Sequence, residues 1–131
     1  MHAMVLLFIL MVGCREVPPL STATAKPMIR TELLFGLSIP AGGEVSDAQW
    51  QTFVDEIVTP RFPDGFTVID GAGQYRQNSG KIDHERSKIL LIFHDSDDAT
   101  IKKLDEIRQA YKKQFGQESV IRESGRVWVA F

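Results

Sequence analysis

The chain has 131 residues, 24% of them charged, and a formal net charge of −2. A chain of this size can fold around one hydrophobic core without a metal or disulfide staples, and its single cysteine excludes an internal disulfide. Lys and Arg nearly balance Asp and Glu and are dispersed, so neither a nucleic-acid groove nor a strongly anionic-lipid surface is indicated.

Residues 1–13 form an almost uncharged apolar run that ends at Cys14, and Met11-Val12-Gly13-Cys14 has the form of a lipobox. A small residue directly before the cysteine suits a signal peptidase that cuts there and leaves a lipid-modified amino terminus. A spanning helix takes about 20 apolar residues, whereas a signal-peptide h-region takes about 7–15, and the run fits only the second. The match is imperfect at His2, which stands where Lys or Arg is usual. Residues 14–29 carry Pro18, Pro19 and Pro27 among Ser, Thr and Ala, a composition that cannot offset the entropy of ordering and reads as a flexible linker. Lipid on Cys14 implies that residues 30–131 are a single domain tethered to a bacterial membrane and facing the periplasm or cell exterior.

Within that domain, residues 31–38 alternate, with Leu33, Phe35 and Leu37 on one face, which predicts a strand. Ser46 followed by Gln49 forms a capping box, and Val45 is placed to staple onto Trp50. Trp50, Phe53, Val54, Ile57 and Val58 then recur at helical spacing until Pro60. Two long strands, 66–76 and 81–94, follow the Pro63-Asp64-Gly65 turn and join as a hairpin through residues 77–80. Gly71-Ala72-Gly73 predicts a bulge or bend in the first of them, because no helix follows to make a phosphate loop. A second helix capped by Asp97 or a neighbour presents Ile101, Leu104, Ile107, Tyr111 and Phe115 and stops at Gly116. The chain closes with strand-like 120–122, a Ser124-Gly125 break, and 127–131.

The order strand, helix, strand, strand, helix, strand is that of an α+β, ferredoxin-like sandwich with two helices on one face of an antiparallel sheet of spatial order 4-1-3-2. The blocks 31–38, 59–68, 85–88 and 115–120 resemble the bacterial domain of unknown function 3574 family, and the resemblance covers nearly all of residues 30–131. It implies an exported lipoprotein or secreted protein and brings no established activity. Arg61, Asp64, Arg86 and Glu118 are the charged residues of those blocks that stand as ligand-binding candidates; the bracketing of a turn by Arg61 and Asp64, and pairing of Arg86 with Asp70 or Asp83, are the structural alternatives.

No cofactor loop, metal spacing or nucleophile elbow is present, and capping accounts for the Asp residues after His94. The one acid-base candidate is Glu32 with His94, which the antiparallel register brings near each other on the face away from the helices if Ile89, Leu91 and Phe93 face the core. That same phase puts Leu34, Leu90, Ile92 and Trp128 on the outer face, apolar enough to need cover by a second copy of the chain, the 15–29 segment or another protein. The sequence therefore reads as a lipid-anchored interaction or binding module, with a small Glu32/His94 enzyme as the alternative. Metabolic labelling with a fatty acid tests the anchor: the wild type takes up label, Cys14→Ser takes up none and stays unprocessed, and a wild type without label overturns the assignment.

Overall fold

The computed structural model describes residues 24–76 and 80–131. The lipobox, most of the linker and the centre of the hairpin connection lie outside the described residues. Four strands, β1 (Ala25–Gly36), β2 (Thr67–Arg76), β3 (Ile82–His94) and β4 (Ile121–Ala130), form one antiparallel sheet in the order β2-β3-β1-β4. Helices α1 (Asp47–Phe53) and α2 (Asp98–Phe115) share a core with one face of that sheet. This is the expected ferredoxin-like arrangement and strand order. Among the described residues no helix is long and apolar enough to cross a membrane.

The core forms because the 2-residue period of the strands meets the 3.6-residue period of the helices on one side. Leu33 and Phe35 from β1, with Leu90 and Ile92 from β3, pack against Trp50 and Phe53 of α1 and Leu104, Ile107, Tyr111 and Phe115 of α2. Phe35 lies at the centre, with ring centroids 4.8 Å from Tyr111, 5.1 Å from Trp50 and 6.0 Å from Phe53, all edge to face. Such geometry sets the positive edge of one ring against the negative face of the next. The Tyr111 hydroxyl donates to the Gly36 carbonyl at 2.8 Å, which satisfies a polar atom the cluster would otherwise strand.

Local signals place the helix ends. The Ser46 backbone N–H donates to Gln49 Oε1 at 2.9 Å while the Gln49 N–H donates to Ser46 Oγ at 3.2 Å, so the capping box is complete. After α1 the chain widens into a π-helical turn, Val54–Val58, in which the Thr59 N–H reaches back to the Val54 carbonyl at 2.9 Å. The turn keeps both Val54 and Val58 buried, and Pro60, lacking an N–H, ends it. The left-handed Gly116, at φ 66°, closes α2.

Three boundaries differ from the sequence expectation. β1 begins at Ala25, inside the stretch read as linker, and takes in Pro27. Proline is tolerated there because β1 pairs with β3 only from Ile29 onward, so its first residues have a ladder partner on one side alone. β4 runs unbroken through Ser124 and Gly125, which pair with Thr31 and Arg30. Gly71 and Gly73 sit in a regular ladder opposite Ser87 and Glu85 with no bulge. Gly71 allows a close approach, since a Cβ there would stand 2.7 Å from Ser87 Oγ, whereas one on Gly73 would meet nothing nearer than 3.9 Å.

The Asp97 cap yields a pH test. The Thr100 hydroxyl and then its backbone N–H donate to the Asp97 carboxylate, at 2.7 and 2.8 Å, and hold its pKa below the ordinary 3.8. A lowered folded pKa contributes stability that is full above the unfolded value and lost as pH falls through the folded one. Asp97→Ala is therefore expected to lower the thermal midpoint by a few degrees at pH 7, with the gap to wild type narrowing below about pH 3.8, the unfolded value.

Candidate functional site

Glu32 and His94 do not meet. β1 and β3 pair in a register that sets Ile29 opposite His94 and Glu32 opposite Leu91. Directly opposed residues share a face, so His94 lies on the helix side and Glu32 on the open side. The expected phase of β3 is reversed: Leu90 is fully buried beside the helices, whereas Phe93 is 42% exposed. An unbroken apolar run carries no phase of its own, and Leu33, itself buried and paired with Leu90, supplies it. Glu32 instead forms an ion pair with Arg30 on its own strand and face.

His94 anchors a different arrangement. Its Nδ1 lies 2.7 Å from the Asp95 backbone carbonyl, which can only accept, so Nδ1 carries the proton. Nε2 is hydrogen-bonded to Thr31 Oγ1 at 2.8 Å, and Thr31 Oγ1 to Ser124 Oγ at 2.8 Å. The chain crosses three strands and ends at an exposed serine, with Thr31 wholly buried and His94 nearly so. Sequence reasoning missed Thr31 and Ser124. The signal was a threonine on the apolar face of a central strand, where it needs a partner.

The open face of the sheet carries Leu34, Ile89 and Leu91, half-buried, with Phe93, Ile69 and Ile121 exposed. Of the residues expected there, Leu34 is present; Leu90 and Ile92 are in the core, and Trp128, opposite Pro27, falls on the helix-side parity. At one end of this face the Glu85 carboxylate accepts the Ser38 backbone N–H at 3.0 Å and lies over Gly36, where any Cβ would collide with it. Burial first, and then the Glu85 charge, push the Tyr111 phenol above its ordinary range.

The other charged candidates are spread over the molecule. Arg61 donates to the Ile57 carbonyl at 2.8 Å and to Glu106 at 3.1 Å, tying the end of the π turn to α2. Asp64 is exposed in its turn, and Glu118 is exposed beyond α2. Arg86 pairs with Glu44 and Asp47, at 3.3 and 3.6 Å, and not with Asp70 or Asp83 as expected. Lys88 takes Asp70, directly opposite it in the ladder, at 2.5 Å, and also Asp47 at 3.1 Å. The Asp70 bond raises the Lys88 ammonium pKa and lowers that of the Asp70 carboxyl. Arg86 and Lys88 thus fasten the start of α1 to β3, a structural task.

Thr31→Val keeps the shape of the buried chain and removes its middle. It leaves the His94 nitrogen without its partner, at a cost of about 1–3 kcal/mol in urea unfolding, while Ser124→Ala at the wet end costs less. Equal stability of Thr31→Val and wild type would show that the chain is not formed.

The comparisons fit this fold. No curated protein matches the chain by sequence. A phage SAM lyase in complex with S-methyl-5′-thioadenosine is similar in structure, with a TM-score of 0.58 and 18% identity over 79% of this chain and 90% of that one. The apo state of a phage SAM lyase gives 0.58 and 16% over 80% and 90%. CutA from Synechococcus elongatus gives 0.45 and 16% over 79% and 78%. At these identities the likeness to the two lyase structures is one of fold. Residues 30–131, most of the chain, match one family model, and the chain belongs to the family described as protein of unknown function (DUF3574).

Proposed function

We propose that this protein is a lipid-anchored interaction module, exported through its lipobox, whose open sheet face seats a second copy of the chain. The observation that carries the reading is the apolar block of Leu34, Ile69, Ile89, Leu91, Phe93 and Ile121 on the face opposite both helices. The eight paired positions of β1 and β3, across four strands, span a face of roughly 20 by 26 Å at ordinary strand spacings, or about 500 Å² in plan. Side-chain relief adds to this, and a standard interface takes about 800 Å² from each partner, so the face is of the right order for a stable dimer. Arg30, Glu32 and Glu123 lie along one side of the block as a polar margin, the usual anatomy of such a surface.

A catalytic reading draws on the shared fold with the phage lyase. The pair named for it, Glu32 and His94, is divided by the sheet, so the interaction reading is the better supported. Sedimentation equilibrium of the full chain carrying Cys14→Ser is expected to show a monomer–dimer equilibrium, and Leu91→Lys is expected to weaken it at least tenfold with an unchanged far-ultraviolet spectrum. A monomer at every concentration, or a dimer indifferent to Leu91→Lys, overturns the proposal.

A further inference from the structure

Ser124 is the surface end of the hydrogen-bonded row that runs through Thr31 to His94. Thr31 lies directly opposite Ser124 in the ladder of β1 with β4, and diagonal to His94 in the ladder of β1 with β3, where Ile29 is the residue opposite His94. Both placements are within side-chain reach on one face of a sheet. The steps from Ser124 Oγ to Thr31 Oγ1 and from there to His94 Nε2 are each 2.8 Å, and Nδ1 is held 2.7 Å from the Asp95 carbonyl. An activated nucleophile has this order of parts: a hydroxyl, a base, and a third group that orients the base. Here a second hydroxyl is inserted between the first two. We infer that Ser124 is a nucleophile for acyl transfer from small phenolic esters, with His94 accepting its proton through Thr31.

With Nδ1 protonated, the neutral ring presents the Nε2 lone pair to Thr31, and Thr31 presents one of its own to Ser124. As Ser124 Oγ forms its bond to the ester carbonyl carbon, the Ser124 proton passes to Thr31 Oγ1 and the Thr31 proton passes to Nε2. The bond to the leaving oxygen then breaks and acyl-Ser124 remains. The base lies behind a wholly buried Thr31 and the acylated serine, out of reach of the leaving oxygen. Substrates are therefore esters whose leaving group departs as an anion, which a phenolate does. The proton stays on the imidazolium until solvent takes it.

The surroundings suit this chemistry. Ser124 is exposed, so the attacking oxygen is accessible, whereas His94 is 6% exposed. β4 is an edge of the described sheet, and along such a strand every second N–H points away from the neighbouring strand. Either Ser124 or Gly125 thus directs its N–H outward beside the hydroxyl, where a developing oxyanion can accept it. The charged groups placed around His94 are Asp95 and Asp97 of the loop, the latter close enough to feel the ring's charge, Asp98 at the start of α2, and Arg126 beyond Ile29 on β4. Acylation needs the neutral ring, so its rate rises with pH as the imidazolium loses its proton and then levels off. Ser124 is on the helix side of the sheet, and the inference stands whether or not the open face seats a second copy.

Incubation of the full chain carrying Cys14→Ser with p-nitrophenyl acetate is expected to place acetyl on Ser124, read by peptide mass spectrometry, ahead of the exposed Ser96 and Ser119 as internal controls. General-base assistance is worth about 10²–10⁴ in rate. Thr31→Val is accordingly expected to slow acetylation of Ser124 at least tenfold, and Thr31→Ser, which restores the hydroxyl, to keep most of it. The rate should rise with pH to a plateau, and His94→Gln should flatten that profile. If His94→Gln does not fold, the two Thr31 variants and the pH profile of the unaltered row still decide. Ser124 labelled no faster than Ser96 and Ser119, equal rates with Thr31 and with valine in its place, a serine variant as slow as the valine one, or a rate that climbs with hydroxide and shows no plateau, overturns the inference.

Discussion

The burial of Phe35 is the constraint on which the rest of the molecule depends. Its ring is the point where β1, α1 and α2 meet, through Trp50, Phe53 and Tyr111. Since strand side chains alternate, placing Phe35 and Leu33 in the core sends Glu32 and Leu34 to the other face. The ladder with β3 then sends Leu90 and Ile92 inward and Ile89, Leu91 and Phe93 outward. One buried ring thus decides which half of an entirely apolar strand is core and which is surface.

The same constraint sorts the polar residues. Thr31, His94 and Lys88 share the helix side with the core residues and must find partners there. Thr31 and His94 find them in each other and in Ser124, and Lys88 in Asp70 and Asp47 at the edge. No described buried side-chain polar atom lacks a partner. An unmade bond in this setting costs more than a made one contributes, so the pairing selects one register among those the strands could adopt.

One surface is left over. The open face is apolar toward β2 and β3 and charged along part of β1 and β4.

The sequence by itself determined the order of elements, the start of the first helix, the end of the second, the strand order and the family. Those properties rest on short-range chemistry: the Ser46 capping box, the Asp97 cap, Pro60 and Gly116 act over a few residues and are legible as written. Tertiary structure alone decided the phase of β3, the separation of Glu32 from His94, and the length of β1 and β4. Residues 89–93 are apolar at every position, and a uniform run has no periodicity to read, so its facing is fixed by the strand beside it. Pro27 and the Ser124-Gly125 step look like breaks in isolation. They are absorbed because each has a ladder partner on only one side, and because Ser124 gains a hydrogen bond to Thr31, 93 residues away in the chain.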